Sequence, residues 1–289
     1  MRLRAIALFA LLLPTCPSLG ASQPAGFVIE RTAVHDLRAE SLKRNYQVYV
    51  QTPPGYELPE NRSRRYPVVY LNDGPYTFVV AAGVLRLPVK FDRIEPAILV
   101  GLSFAEGEDG MVSRRRDLTP WSDPTLESPS GGAAAYAAFL RDQVIPLIER
   151  TYRADPRRRT LVGQSYGGLF GAWMLLTQPD LFNQYILTSP SLWYLDRSMF
   201  KTEADYAAAH RNLRAKVYMA TGAFEQPGVC AYCNFDMIAD MRQFATRLRE
   251  RKYPGLNILD DVIEGAIHET TFPTAFLRGM QWLHGKQAR

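Results

Sequence analysis

The chain has 289 residues, 47% of them hydrophobic and 22% charged, which supplies one large core and excludes a disordered chain. Its 34 basic and 29 acidic residues leave a net charge of +5, with the arginines gathered at a few points. They are not interleaved with aromatic residues along one face, so the footprint of a nucleic-acid binder is missing.

The first 26 residues, MRLRAIALFALLLPTCPSLGASQPAG, carry two arginines, an apolar run over residues 5–13 and then small residues. This is the layout of a secretory signal, too short for a spanning helix. Residues 1–20 are read as a signal peptide cleaved after Gly20, and residues 21–289 as one domain. Pro14 and Pro17 break any helix there, and Leu13-Pro14-Thr15 is a poor lipid-attachment site before Cys16. No second long apolar run follows, so the mature protein is expected to be periplasmic or secreted, without membrane insertion.

Strand-like stretches open the mature chain: residues 27–35, then the alternating run 44–51, closed by Pro53-Pro54-Gly55. Residues 66–71 are continuously apolar, as in a buried strand, and Asn72-Asp73-Gly74-Pro75 ends them as a turn. A short helix is expected over 76–87 and a buried strand over 97–102. Residues 103–132 read as a long polar loop containing RRRDLTPWSD; a loop of that length usually carries function. Beyond it come a helix (133–150), a strand (160–163), a helix (167–177), a strand (185–187), a helical insertion (202–211) and a strand (216–220). A helix (235–251), a strand (256–262) and a closing helix (271–286) complete the chain. Strands alternating with helices imply parallel βαβ units and one doubly wound, mostly parallel α/β sheet flanked by helices.

Two cysteines survive removal of the leader, Cys230 and Cys233. In an oxidising compartment this C-x-x-C pair reads as a local disulfide. A zinc site would need a second ligand pair, and none has the spacing.

The stretch TLVGQSYGGLFGAW places Ser165 between a strand and a helix in the pattern Gly163-Gln164-Ser165-Tyr166-Gly167. G-x-S-x-G at such a turn is a nucleophile elbow. A serine hydroxyl needs a base and the base an orienter, supplied from the ends of later strands in the order acid, then histidine. Of four histidines, His35 precedes the serine, His210 rides the insertion and His284 reads as a solvated face of the last helix. His268, in the loop after the last strand, is the expected base. Glu225, five residues past the strand at 216–220, is the expected acid, with Asp196 in reserve; Asp236, Asp260 and Asp261 fit less well. For the oxyanion hole, one donor is the Tyr166 N–H. The second would come from the turn after residue 71, where Pro75 has no N–H, so Tyr76 is the expected substitute.

YLNDG, GQSYGGLF, SPSLWY, TGAFE and HETTFP, in this order, resemble the putative-esterase family of α/β-hydrolases. That family takes in feruloyl esterases, antigen 85 mycolyltransferases, S-formylglutathione hydrolases and periplasmic trilactone esterases. The likeness spans roughly residues 40–285 and puts Ser165, Glu225 and His268 on the family's triad positions. RRRDLTP and SPSLWY look most like the siderophore trilactone hydrolases; Pro75 departs from the family's usual oxyanion donor. The resemblance implies an α/β-hydrolase fold and a serine esterase with no metal or cofactor, acting on a small-molecule ester. An acyltransferase on the same triad and a non-catalytic binding protein on the same scaffold fit the same motifs. At least one of Arg114, Arg115 and Arg116 is expected to hold an anionic substrate, with Arg116 favoured because it abuts Asp117. Trp121 and Trp193 are also expected in the binding site, and with Tyr76 they would set substrate choice if the arginines do not.

Overall fold

The computed structural model describes residues 26–229 and 234–286. The expected leader and the Cys230–Cys233 pair lie outside the described residues.

Eight strands form one sheet: β1 (Thr32–Ala39), β2 (Arg44–Gln51), β3 (Tyr66–Leu71), β4 (Ile98–Leu102), β5 (Ala154–Gln164), β6 (Gln184–Thr188), β7 (Ala215–Gly222) and β8 (Leu256–Ile263). Their order is β1-β2-β4-β3-β5-β6-β7-β8. β2 runs antiparallel to both β1 and β4, and every other pair is parallel. Parallel strands are buried on both faces, and β3, β4 and β6 are buried at every position.

Alternate residues of each central strand serve opposite layers, as the pleat dictates. Tyr70, Leu161, Leu187 and Met219 point into a core roofed by α3 (Ala133–Phe139), α4 (Ile145–Thr151), α5 (Tyr166–Thr177), α6 (Tyr194–Ala209) and α7 (Met237–Glu250). Val69, Val162, Ile186 and Tyr218 point into the other, covered by α1 (Gly74–Lys90) and α8 (His268–His284). A π-helical turn, Leu140–Val144, joins α3 to α4.

Three expectations are corrected. The first strand begins at Thr32, not at residue 27: Thr32 faces Gln51, the last residue of β2, and before it the chain is tied to β2's end by a single backbone bond, from the Thr52 N–H to the Arg31 carbonyl (3.1 Å). The long polar stretch contains a helix, α2 (Gly110–Leu118), whose N-terminus Asp109 caps by accepting from the N–H groups of Met111 (2.8 Å) and Val112 (3.2 Å). The helical insertion starts at Tyr194 and bends through three consecutive left-handed residues, Leu195, Asp196 and Arg197. Among the described residues, no helix is long and apolar enough to cross a membrane.

Candidate active site

The carboxyl ends of β3, β5, β7 and β8 lie along one edge of the sheet, the place where open α/β sheets bind ligands. At the end of β5 the chain turns into α5 through Ser165, which takes φ 59°, ψ −118°. Such a conformation costs about 1–3 kcal/mol in a non-glycine residue and persists only where surroundings impose it. Here the Ser165 N–H donates to the Thr188 carbonyl (3.0 Å), and its own carbonyl accepts from Leu169 (2.9 Å) and Ser191 (3.1 Å). Gly163 permits the turn: a Cβ there would stand 2.1 Å from the Gly167 carbonyl oxygen. Gly167 itself faces ordinary or slightly tight contacts, so the elbow depends chiefly on the first of its two glycines.

Glu225 lies three residues past β7 and is 1% exposed. One carboxylate oxygen accepts from Ser189 Oγ (2.6 Å), the Gly222 N–H (2.7 Å) and Thr271 Oγ1 (2.8 Å). The other meets His268 Nδ1 at 2.6 Å. Burial pushes this carboxyl's pKa up, but the hydrogen bonds from His268, Ser189 and Gly222 together outweigh it, and the pKa is lowered. His268 is the first residue of α8, and its side chain is 35% exposed. Its carbonyl accepts from Gln164 Nε2 at 2.6 Å, which ties the histidine to the residue before Ser165. The Ser165 hydroxyl lies 3.3 Å from Ser191 Oγ. The reserve acid, Asp196, sits in the bend of α6.

Tyr166 opens α5, so its N–H has no acceptor within the helix. Tyr76 does not fill the second donor position: its N–H donates to the Asp73 carbonyl (3.0 Å) in the first turn of α1, and its ring packs 5.4 Å from Phe272. Trp193 is half-buried, 6.3 Å from the Tyr166 ring, and stacks face to face on Phe235 at 4.4 Å. Trp121 is half-buried against the core, and its carbonyl accepts from Tyr194.

Arg116 is not available to a substrate. It is buried, bonded to Asp117 (2.8 Å), to Glu108 and to the Tyr46 hydroxyl (3.2 Å). Its neighbours diverge because helix α2 turns about 100° per residue. Arg115 donates to Ser128 (2.7 Å), and Arg114 points back at Asp73. His284, expected on a solvated face, is buried against Thr160. Among the described residues, no group of three or more His, Cys, Asp and Glu side chains could hold a metal ion.

Ser189, Thr271, Gln164 and Phe235 complete the site and were not singled out from sequence. Ser189 and Thr271 stand inside SPSLWY and HETTFP, but only the fold shows that both hydroxyls reach Glu225.

A family model described as "Putative esterase" matches residues 39–283. A ferri-bacillibactin esterase of Bacillus subtilis is 32% identical over 215 residues, 69% of this chain and 73% of that protein. A siderophore enterobactin esterase of Emericella nidulans is 31% identical over 229 residues, 71% of this chain and 73% of its own length. Among solved structures, the BES protein from Bacillus cereus superposes with a TM-score of 0.79 at 23% identity, covering 91% of this chain and 98% of that one. An IroE-like serine hydrolase from Shewanella oneidensis gives 0.75 at 24% identity, covering 88% and 80%.

Proposed function

The chain belongs to this esterase family, and from that premise we propose that it hydrolyses carboxylic esters of the siderophore type through an acyl-enzyme on Ser165. The observation that carries the mechanism is the 2.6 Å contact between Glu225 and His268 Nδ1, held at the strand ends beside the strained Ser165 elbow. With a proton on Nδ1 facing the carboxylate, the Nε2 lone pair is the base. It takes the Ser165 proton as Oγ leaves Ser191 and attacks the ester carbonyl; such serine–base bonds are commonly loose before substrate arrives. The Tyr166 N–H supports the oxyanion as the carbonyl becomes tetrahedral. Collapse breaks the bond to the alcohol, which leaves with the proton from Nε2. Water, deprotonated by the same nitrogen, then releases the acid and restores Ser165.

The siderophore reading rests on the relatives, two of which are named for siderophore esters at over 30% identity. The Trp193–Phe235 stack agrees with it, offering an apolar slab suited to an ester with planar rings. Export by a leader cut after Gly20 and a Cys230–Cys233 bridge belong to the same reading.

Purified protein assayed on p-nitrophenyl esters of rising chain length and on a ferric trilactone siderophore tests the proposal. Hydrolysis of the trilactone, lost in Ser165→Ala, is the expected result. Turnover of simple esters but not the trilactone would remove the substrate assignment, and no turnover of any ester would remove the function.

A further inference from the structure

Arg114, on α2, touches both the nucleophile elbow and the β3–α1 turn and is used by neither the acid–base chemistry nor the Trp193–Phe235 stack. Its Nε and Nη2 donate to the two oxygens of Asp73, each at 3.0 Å. Nη2 also donates to the Gln164 carbonyl at 3.3 Å, one residue before Ser165. The guanidinium carbon lies 5.5 Å from the centre of the Tyr166 ring, one residue after Ser165. The ion pair is buried, with side-chain exposures of 15% for Arg114 and 6% for Asp73.

Asp73 is itself unusual. It is the residue before α1 and takes a left-handed conformation, φ 57°, ψ 43°, yet its carboxylate makes no capping bond to the helix. An aspartate there ordinarily accepts from the second or third helical N–H. The second residue is Pro75, which has no N–H, and the third is Tyr76, whose N–H goes to the Asp73 carbonyl. The carboxylate is thus released from capping and given to Arg114. Thr77 Oγ1 holds the segment from below, donating to the Asn72 carbonyl at 2.6 Å. The segment also presses on the elbow: a Cβ on Gly167 would come within 3.3 Å of Asp73 Oδ2 and 3.5 Å of Asn72 Cβ.

We infer that Arg114 is the positioning residue of the oxyanion hole, clamping the Asp73–Gly74 segment of the β3–α1 turn to the nucleophile elbow. With Pro75 lacking a donor and Tyr76 committed, Asp73 and Gly74 supply the turn's remaining N–H groups. Gly74 is the first residue of α1, so its N–H has no acceptor inside the helix. Tyr166 supplies the elbow's donor. A planar fork is required because two parallel bonds to one carboxylate fix orientation, which a lysine ammonium does not. Since the Nε–Nη2 edge of that fork is spent on Asp73, Nη2 also holds the Gln164 carbonyl and the side chain is largely buried, Arg114 acts through the hole and not as an anchor for substrate charge.

The inference rests on the esterase reading, and wild-type turnover of a p-nitrophenyl ester is the control that separates the two. Arg114→Met strands a buried carboxylate, so it is paired with the double variant Arg114→Met/Asp73→Asn, which removes both charges, and with Arg114→Lys. In all three, kcat should fall about 10- to 100-fold, less than the about 10²–10³-fold of losing an oxyanion donor outright, because the donors are displaced and not removed. KM should stay within about two-fold for neutral and anionic esters alike. Affinity for an aryl boronic acid, which becomes tetrahedral on the serine, should fall in step with kcat/KM. A double variant with wild-type kcat and boronate affinity would overturn the inference and leave the clamp as fold support. A KM rise confined to the anionic ester would overturn it in favour of substrate binding. Absence of turnover by the wild-type protein would overturn the esterase reading and this inference together.

Discussion

Glu225 is 1% exposed and bonded on both oxygens, and that arrangement decides what its loss should do. Two of its donors, the Gly222 N–H and His268 Nδ1, have no acceptor alternative while the histidine keeps its productive tautomer. Glu225→Gln therefore turns an amide N–H₂ toward one of them or forces the proton to the other ring nitrogen. The expected fall in kcat is about 10⁴-fold with the fold intact, against about 10⁶-fold for Ser165→Ala or His268→Ala. Steady-state kinetics on one chromogenic ester rank the three; a Glu225→Gln enzyme as fast as wild type would remove the acid from the mechanism. This candidate triad was legible as a proposal because the strand order confines base and acid to late strand ends and the chain offers only four histidines. Arg116 was misread for an equally physical reason. Adjacency to Asp117 in sequence indicated a held arginine, but nothing in the sequence says that Tyr46, on β2, and Glu108 close over it.

Two elements carry the consequences of close packing. The elbow tolerates no side chain at residue 163, where a Cβ would lie 2.1 Å from a backbone oxygen. Gly163→Ala should therefore cost more than the about 1–3 kcal/mol typical of overpacking, and should abolish activity even where protein is recovered, as circular dichroism and an ester assay would show. Arg116 and Asp117 of helix α2 form a buried charge pair, both bonded to Tyr46, that the half-buried Glu108 just before the helix joins through Arg116. Removing one partner of such a pair strands the others, at about 3–5 kcal/mol. Arg116→Ala should accordingly lower the denaturation midpoint, with no selective rise in KM for anionic esters; such a selective rise would return Arg116 to the binding site. The buried strands were legible from continuous apolar runs, and β2 and β3 match their expected bounds residue for residue. Helix α2 was not, because GMVSRRRDL has no apolar stripe: its polar side chains are buried by partners from β2 and the β3–α1 turn.

At the scale of the whole molecule, alternation of strands and helices was enough for the doubly wound sheet, whereas the burial of distant residues against one another was not. His284 shows the difference. It closes α8, yet Thr160 of β5 lies 3.4 Å from its ring, and burial, with Arg158 nearby, lowers its pKa from 6.5 to about 4. Unfolded, the imidazole gains its proton near 6.5; folded, only near 4. Between those values the unfolded chain binds more protons, so stability falls as pH drops through that window, by about 2 kcal/mol from pH 7 to pH 5. Urea midpoints at the two pH values should show the loss, and His284→Gln should remove most of it; an unchanged slope in that variant would place the titrating group elsewhere. Glu225, with its lowered pKa, adds to the loss only at more acid pH, since its contribution is present above the ordinary carboxyl value and fades below it. Exported protein should begin at Ala21 and carry Cys230 and Cys233 without free thiols, which intact mass before and after alkylation reads directly. The central claim, that Ser165 is the nucleophile of an ester hydrolase, is tested most directly by mapping a fluorophosphonate adduct. Labelling should fall on the single peptide containing Ser165, should rise in step with loss of ester hydrolysis, and should vanish in Ser165→Ala. An adduct on another residue, or hydrolysis that survives full labelling, would contradict the account.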